Sequence, residues 1–460
     1  MSPAGSPRVP LRKMGLFELI AAGATFMAPA FSLAAIFPVI ALMGGSLTPI
    51  GVLLGALAAI LVALSFAEMS RHHTRAGGAY AIVGGEIHPI AGFAAGWGLT
   101  LLYLLGPAIP LILVVSSLEV IFPPLAGVLV PLTIAVALSV FLINALGLKP
   151  STRIAFLFFV AEAAILLSVS AVLFSKPAVA LPAISGTFSV LNAVGYSAIF
   201  TVFLFLGLES VTTFSEEAHA PARDVARGTV IAIAIAALIY VTTSLAFTRS
   251  VSPMNWGLGF SVALTNTLGS GWNIPLAIVV LTSSMGALIA VENTCARLFF
   301  AMGRDKVLPP ALSRLVGGGK APIIALGISA VVTAGIVVWT EAVASSLAAP
   351  VGFVLNILPA MLTMGALLAY LLVSLSALRR GLRNRQWIWS LVPLGGVIVT
   401  GFLIGIQFDP FSPLFSEPVL LGMVAWYVVG GILLVGSLLW TSREPEPLDV
   451  PSSLGIVAGE

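Results

Sequence analysis

Long apolar runs separated by short polar stretches occupy almost the whole chain. They lie near 16–43, 47–69, 87–115, 125–146, 151–173, 191–214, 228–248, 274–302, 322–340, 349–376, 388–407 and 418–440. A helix needs about 20 apolar residues to cross a bilayer, and more when tilted. Each run therefore reads as one crossing. Backbone groups have no water to bind in lipid, so helices are the expected spanning element, and the runs are far too long for barrel strands. The first run exceeds the apolar core of a secretory signal and holds Glu18 near its start, so it reads as a retained span. The connections are short apart from segments near 174–190, 249–273 and 303–321, which leaves no room for an added soluble domain. Beyond Trp440, Pro445, Pro447 and Pro451 stand among acidic residues, the pattern of a disordered end.

Composition agrees with this pattern. Of 460 residues, 59% are hydrophobic and 8% charged, against about a quarter charged in a soluble domain. The net charge of +3 is spread over many short loops with no basic stripe, which argues against a nucleic-acid partner. The single cysteine, Cys295, excludes an intrachain disulfide framework and a Cys-based zinc site. His72, His73, His88 and His219 all fall away from the centres of the runs, so no intramembrane histidine metal site is expected.

The basic residues set an orientation. With twelve spans, 19 of the 21 Lys and Arg residues fall on the side of the termini, and only Lys176 and Arg249 fall opposite. The positive-inside rule then predicts cytoplasmic N- and C-termini in a cell (plasma or inner) membrane.

Two runs are interrupted. The first contains Met27-Ala28-Pro29-Ala30-Phe31-Ser32, where Pro29 lacks an N–H and crowds the preceding turn. The sixth contains Phe203-Leu204-Phe205-Leu206-Gly207-Leu208-Glu209-Ser210. A proline kink or close packing at glycine explains either one alone. The first and sixth spans, however, are equivalent positions if spans 1–5 and 6–10 are repeats. An odd number of spans makes such repeats inverted, and paired interruptions then point to a midplane transporter site. Broken helices expose N–H groups at a positive end and carbonyls at a negative end, which can hold a carboxylate and an ammonium group.

Glu162, Glu209 and Glu292 lie inside apolar runs, where an ionised carboxylate costs roughly 2.5–3.5 kcal/mol. Each is a functional candidate, with a hydrogen-bonded carboxyl locking two helices as the alternative. For Glu292, near Arg297, the structural role is favoured. Glu18 and Glu68 lie among basic residues near the cytoplasmic face, as gate ion pairs or as solvated interface charges. Gly51-x-x-x-Gly55 and Gly92-x-x-x-Gly96 have helix-packing spacing. Gly317-Gly318-Gly319-Lys320 lacks the spacing of a phosphate loop and reads as a flexible connection.

Three stretches resemble the amino acid permeases of the amino acid–polyamine–organocation (APC) superfamily. Ser65-Phe66-Ala67-Glu68-Met69-Ser70-Arg71, then Arg75-Ala76-Gly77-Gly78-Ala79-Tyr80, is similar to its span 2 to 3 signature. Phe205 to Ser210, followed by Glu216-Glu217-Ala218-His219-Ala220-Pro221-Ala222-Arg223, resembles its span 6 and the next loop. Met302-Gly303-Arg304-Asp305-Lys306-Val307-Leu308-Pro309, with Ala321-Pro322, resembles its span 8 to 9 loop. The resemblance implies an all-α membrane protein of 12 transmembrane helices, with a LeuT-type 5+5 inverted repeat and two peripheral helices. The divisions are a cytoplasmic N-terminus 1–15, a first repeat 16–173, a second repeat 191–376, spans 11 and 12 at 388–440, and a cytoplasmic tail 441–460.

The resemblance also implies a substrate site between the breaks. Met27, Ala28, Pro29, Ala30, Phe31 and Ser32 offer backbone groups, Phe203 is a candidate lid, and Leu206, Gly207 and Glu209 line the second break. Tyr103, Ser283 and Ser284 reach the substrate side chain by span position. Glu162, Glu209 and Glu68 are the candidates for ion coupling or gating. Two departures stand out. Pro29 occupies the stretch where the family has Gly-Ser-Gly-Ile-Phe, and Glu162 falls where some proton-coupled members carry lysine. The expectation is a secondary transporter, not an enzyme, moving an amino acid with protons and needing no cofactor or metal. The alternatives are a polyamine or other amine carrier, with Glu119 and Glu209 as facing acids, and a transport-inactive sensor or scaffold.

Overall fold

The computed structural model describes residues 14–181, 187–315, 321–344, 357–408 and 416–441. Expectations that fall on Arg8, Arg12, Lys13, the Gly317 to Lys320 loop, Arg443 and the proline-containing tail lie outside these residues. The chain order is α1 (Leu16–Met27), α2 (Pro29–Gly44), α3 (Thr48–His72), α4 (Ala79–Glu86), α5 (Pro89–Leu105), α6 (Ala108–Ile121), α7 (Leu129–Ala145) and α8 (Leu148–Ser175). Then come α9 (Thr187–Phe203), α10 (Ala226–Ser250), α11 (Phe260–Leu268), α12 (Asn273–Arg304), α13 (Ile323–Ala344), α14 (Leu358–Arg383), α15 (Trp387–Phe408) and α16 (Glu417–Thr441). Among the described residues, strand pairing is limited to one parallel bridge between Met14 and Ala218.

Nine segments among the described residues are long and apolar enough to cross a membrane by length and composition, and two shorter apolar helices accompany them. The outward faces are greasy: Leu57, Leu157, Leu238, Ile388 and Val428 are all exposed. Hydroxyls on these helices turn back on their own backbone. Thr25 donates to the Ala21 carbonyl at 2.6 Å, Thr201 to Ser197 at 2.7 Å and Thr400 to Gly396 at 2.7 Å. Such bonds to the preceding turn satisfy a polar side chain where water is absent.

Both glycine pairs pack helices. A Cβ at Gly51 would lie 1.7 Å from Ser197 Oγ, and one at Gly55 would lie 2.5 Å from the Ala198 carbonyl, so α3 and α9 meet almost backbone to backbone. Gly92 closes in the same way on Gly84, and Gly96 on Tyr80, seating α5 against α4. The last helix is docked by a reciprocal pair. Trp97 and Trp426 stack with centroids 4.7 Å apart, and each indole N–H donates to the other residue's carbonyl, at 2.8 and 3.0 Å.

The third apolar run is less continuous than its hydropathy predicts. Gly106 and Pro107 separate α5 from α6, because Pro107 can donate nothing to the ladder. The short α4 precedes it and lies outside the apolar segments. Its last residue, Glu86, ties this region to α14. Arg380 Nη1 approaches Glu86 Oε1 to 2.6 Å and His73 Nε2 approaches it to 3.1 Å. Burial pushes the Glu86 carboxyl up, but the hydrogen bonds of His73 and Arg380 and the charge of Arg380 outweigh it, so the carboxyl stays below the ordinary range.

A carboxyl lowered by folding stabilises above its unfolded value and stops doing so as the pH falls through its folded value. Arg380→Ala is therefore expected to cost about 1–3 kcal/mol near neutral pH. It should lower the thermal midpoint in detergent at pH 7, and its gap to wild type should shrink below about pH 4. A gap of the same size at pH 7 and pH 3.5 would contradict this assignment.

Candidate functional site

Both interruptions exist, and they face each other. The first is one residue long: α1 ends at Met27, Ala28 takes left-handed angles (φ 41°, ψ 73°), and α2 begins at Pro29. Proline is well suited to the first helical position, where no intrahelical N–H bond is needed. Pro29 thus starts a helix instead of kinking one, and Ala30, Phe31 and Ser32 are already helical. The second break is longer. α9 stops at Phe203, residues 204–209 form turns with Gly207 at φ 95°, and a 3₁₀ segment runs from Ser210 to Glu217. Its sequence is rich in Ser and Thr, whose hydroxyls serve the local carbonyls: Thr212 donates to Glu209 at 2.6 Å and Thr213 to Ser210 at 2.7 Å.

Tyr240, on α10, joins the breaks. Its hydroxyl lies 3.1 Å from the Met27 carbonyl and 2.8 Å from the Leu204 carbonyl, and Ser32 also donates to Met27 at 2.8 Å. The N–H groups at the start of α2 are also occupied. Ala30 N–H points to Glu162 Oε2 at 3.4 Å, and Phe31 N–H donates to Ser283 Oγ at 2.8 Å. Ser284, next along α12, has a buried hydroxyl with no hydrogen-bond partner among the described residues. In the second break, Tyr103 donates to Glu209 Oε1 at 2.5 Å and Tyr370 donates to Glu209 Oε2. Tyr370 also accepts the Gly207 N–H at 3.1 Å.

Most of the residues expected at the site therefore converge, from α1, α2, α5, α8, α12 and the 204–209 turn. Phe203 packs edge-on to Phe200 and, like Leu206, is half-buried at the rim. Glu68 does not join them, because its ion pairs are with Arg71 and His72 of its own helix. Glu292 meets Asn144 at 3.3 Å in a separate buried polar cluster. Tyr240 and Tyr370 were missed. Their signal was available, since a tyrosine deep in an apolar run needs a partner for its hydroxyl. Three of the chain's six tyrosines meet here.

A second polar cluster lies at the opposite end of α1. Glu217 and Arg297 form a buried ion pair at 2.7 Å, and Glu216 binds Arg304 at 2.8 Å and the Ala76 N–H at 3.0 Å. Asp305 takes Arg75 at 2.8 Å and Tyr80 at 2.9 Å. Met14 pairs with this group through backbone bonds to Glu217 and His219, and Glu18 contacts Arg153 at 3.4 Å. Arg75, Glu216, Glu217, Arg304 and Asp305 come from the three signature stretches, whereas Glu18, Arg153 and Arg297 do not.

The amino acid permease family profile matches residues 24–436. The chain belongs to the amino acid permease family. This permease is 25% identical to the uncharacterized transporter Rv1999c of Mycobacterium tuberculosis over 94% of each chain. It is 25% identical to the branched-chain amino acid permease BcaP of Bacillus subtilis, covering 68% of this chain and 72% of that one. A methylthioribose transporter of Bacillus subtilis is 27% identical over 40% of the permease and 37% of its own length.

Gly207 is the position where the site tolerates least. A side chain there would carry a positive φ that L-residues rarely adopt, and its Cβ would lie 1.8 Å from the Phe26 ring. Gly207→Ala should cost about 1–3 kcal/mol of local strain. Uptake by membrane vesicles is expected to fall at least about fivefold, by the usual conversion of such a cost, with the protein still inserted. Wild-type uptake by this variant would show that the turn is not part of the site.

Proposed function

We propose that this permease is a secondary transporter that moves an amino acid by alternating access, coupled to protons through Glu162. The observation that carries the reading is the meeting of two helix breaks around buried polar side chains. The first break offers N–H groups at the start of α2 to a carboxylate, and the second offers carbonyls and Glu209 to an ammonium group. The flanking Phe26, Phe31, Phe203 and Leu206 favour an uncharged side chain. The names of the branched-chain permeases among its relatives support the same class.

In this reading the twelve crossings comprise two inverted five-span repeats, 16–173 and 191–376, and two peripheral helices within 388–440, with both termini cytoplasmic. The Leu16–His72 segment supports the count, because its 57 apolar-rich residues are far more than one crossing takes. The cluster around Glu217 and Arg297 then closes the cytoplasmic side. The paired-acid argument for a polyamine weakens, because the charge of Glu119 acts on Glu341, while among the described residues the side-chain partners of the Glu209 carboxyl are Tyr103 and Tyr370.

Glu162 supplies the coupling step. Its carboxylate holds the Ala30 N–H, and Ser283 holds the next one, so the donors wanted by a substrate carboxylate are already filled. A proton on Glu162 weakens its grip on Ala30 and frees that donor. In liposomes, an inward proton gradient is expected to drive uptake, and Glu162→Gln is expected to remove the pH effect while binding persists. Unchanged pH dependence in Glu162→Gln would refute the coupling role. Absence of any uptake by wild-type protein would refute transport and favour a sensor.

A further inference from the structure

The turn between α14 and α15 carries more positive charge than the chain answers. Arg379, Arg380, Arg383 and Arg385 crowd into it, and no acid occurs between Glu341 and Asp409. Glu86 serves three of these arginines. Arg379 donates to its carbonyl at 3.0 Å, Arg380 binds its carboxylate at 2.6 Å, and Arg383, largely exposed, comes only to 3.9 Å. His73 shares the same carboxylate. Glu68, on the α3 helix that packs against α15, is taken up by Arg71 and His72. The carbonyl end of α14 adds about half a negative charge, so the chain balances about one and a half of the four guanidinium charges. Among the described residues, Arg380 Nε is buried without a partner, and the exposed Arg385 side chain has neither an ion pair nor a hydrogen bond.

Arg385 also stands where glycine is favoured. It is the left-handed residue that follows α14, at φ 57°. Its N–H donates to the Leu382 carbonyl at 3.1 Å and that of Gln386 to Gly381 at 2.9 Å, the paired closure that glycine or asparagine usually makes. A guanidinium is thus held in this turn against the backbone preference.

α15 runs directly from the turn into an exposed apolar face. Trp387, Leu391, Leu394, Ile398 and Phe402 recur at helical spacing, and all five are exposed. From Trp387 to Phe402 the stripe extends about 22 Å, most of the depth of a hydrocarbon core. A tryptophan at its head marks the interface between hydrocarbon and headgroups, which sets the arginines at the level of lipid phosphates.

We propose that the α14–α15 turn binds the headgroup of an anionic phospholipid, whose acyl chain lies along the α15 stripe. Guanidinium forks match phosphate oxygens in pairs, and the exposed amides of Asn384 and Gln386 add neutral donors. A free phosphate would use the arginines alone, whereas the stripe selects a lipid. The site is independent of what the permease carries, since Arg383 lies about 20 Å along α14 from Tyr370 at the second break.

The test lets two lipids compete that differ in headgroup only. Purified wild-type protein is mixed in detergent with equal amounts of dioleoyl phosphatidylglycerol and dioleoyl phosphatidylcholine, repurified, and its retained lipid counted by mass spectrometry. The anionic lipid should be retained at least about fivefold over the zwitterionic one, the gain of one arginine near an anionic surface. Arg383→Gln/Arg385→Gln should bring the ratio within about twofold. Arg223→Gln/Arg314→Gln, which removes the same charge elsewhere, should leave it unchanged, and excess glycerol 3-phosphate should not displace the lipid. Equal retention by wild type overturns the proposal whatever the variants do. If that protein also runs as a dimer that Leu391→Arg splits, the stripe seats a second copy instead. A preference that survives in Arg383→Gln/Arg385→Gln, or that falls equally in the control pair, overturns it as well. Full displacement by glycerol 3-phosphate assigns the turn to a soluble phosphate ester and overturns the lipid assignment.

Discussion

The rule that every buried backbone group needs a partner governs this molecule, because lipid offers none. Along an unbroken helix the rule is met automatically. At Ala28 and along 204–209 it is not, and the freed groups must be met by side chains from elsewhere in the bundle. Tyr240 reaches two carbonyls with one hydroxyl, Ser283 and Glu162 receive N–H groups, and Tyr370 receives that of Gly207. Each of these bonds crosses between helices. The interruptions are thus where distant parts of the chain are held in register.

The same bonds give the site its electrical shape. α2 begins where α1 and α9 end, so opposite helix poles meet within a small volume. Under the proposed function a zwitterion complements such a field, since each of its charges finds the opposite pole. That field is answered from within the chain, by the Glu162 carboxyl at one end and by the Tyr103 and Tyr370 hydroxyls at the other.

Much of this was legible in the sequence because hydropathy and helix breakers act locally. The apolar runs marked the membrane-spanning character, Pro29 and Gly207 marked the breaks, and lone acids in apolar runs marked Glu162 and Glu209. The extent of each break was not legible. Proline at a helix start and proline within a helix look alike in one dimension, so a one-residue break read as six. The Ser/Thr-rich stretch after Glu209 gave no helical or strand periodicity to exploit. Tyr240 and Tyr370 were overlooked for another reason: a tyrosine among aliphatic residues scores as apolar, and only its unmet hydroxyl signals a partner. Ion pairing at the cluster around Glu217 and Arg297 also ran differently. Glu68 was attractive for its basic neighbours, yet those neighbours share its helix, and the pairs that join separate elements use Glu216, Glu217 and Asp305.

The placement of the signature residues bears on how kinship within the family should be read. Arg75, Tyr80, Glu216, Glu217, Arg304 and Asp305 come together at one end of the bundle, apart from Tyr103, Glu162, Glu209, Ser283 and Tyr370. Two chains can therefore share the stretches that build this end and yet differ at Tyr103, Glu162, Ser283 or Tyr370, which lie outside every such stretch. A relative named for branched-chain amino acids and one named for methylthioribose can then both be similar to this chain without contradiction. Cargo is better inherited from the residues around the two breaks than from overall identity.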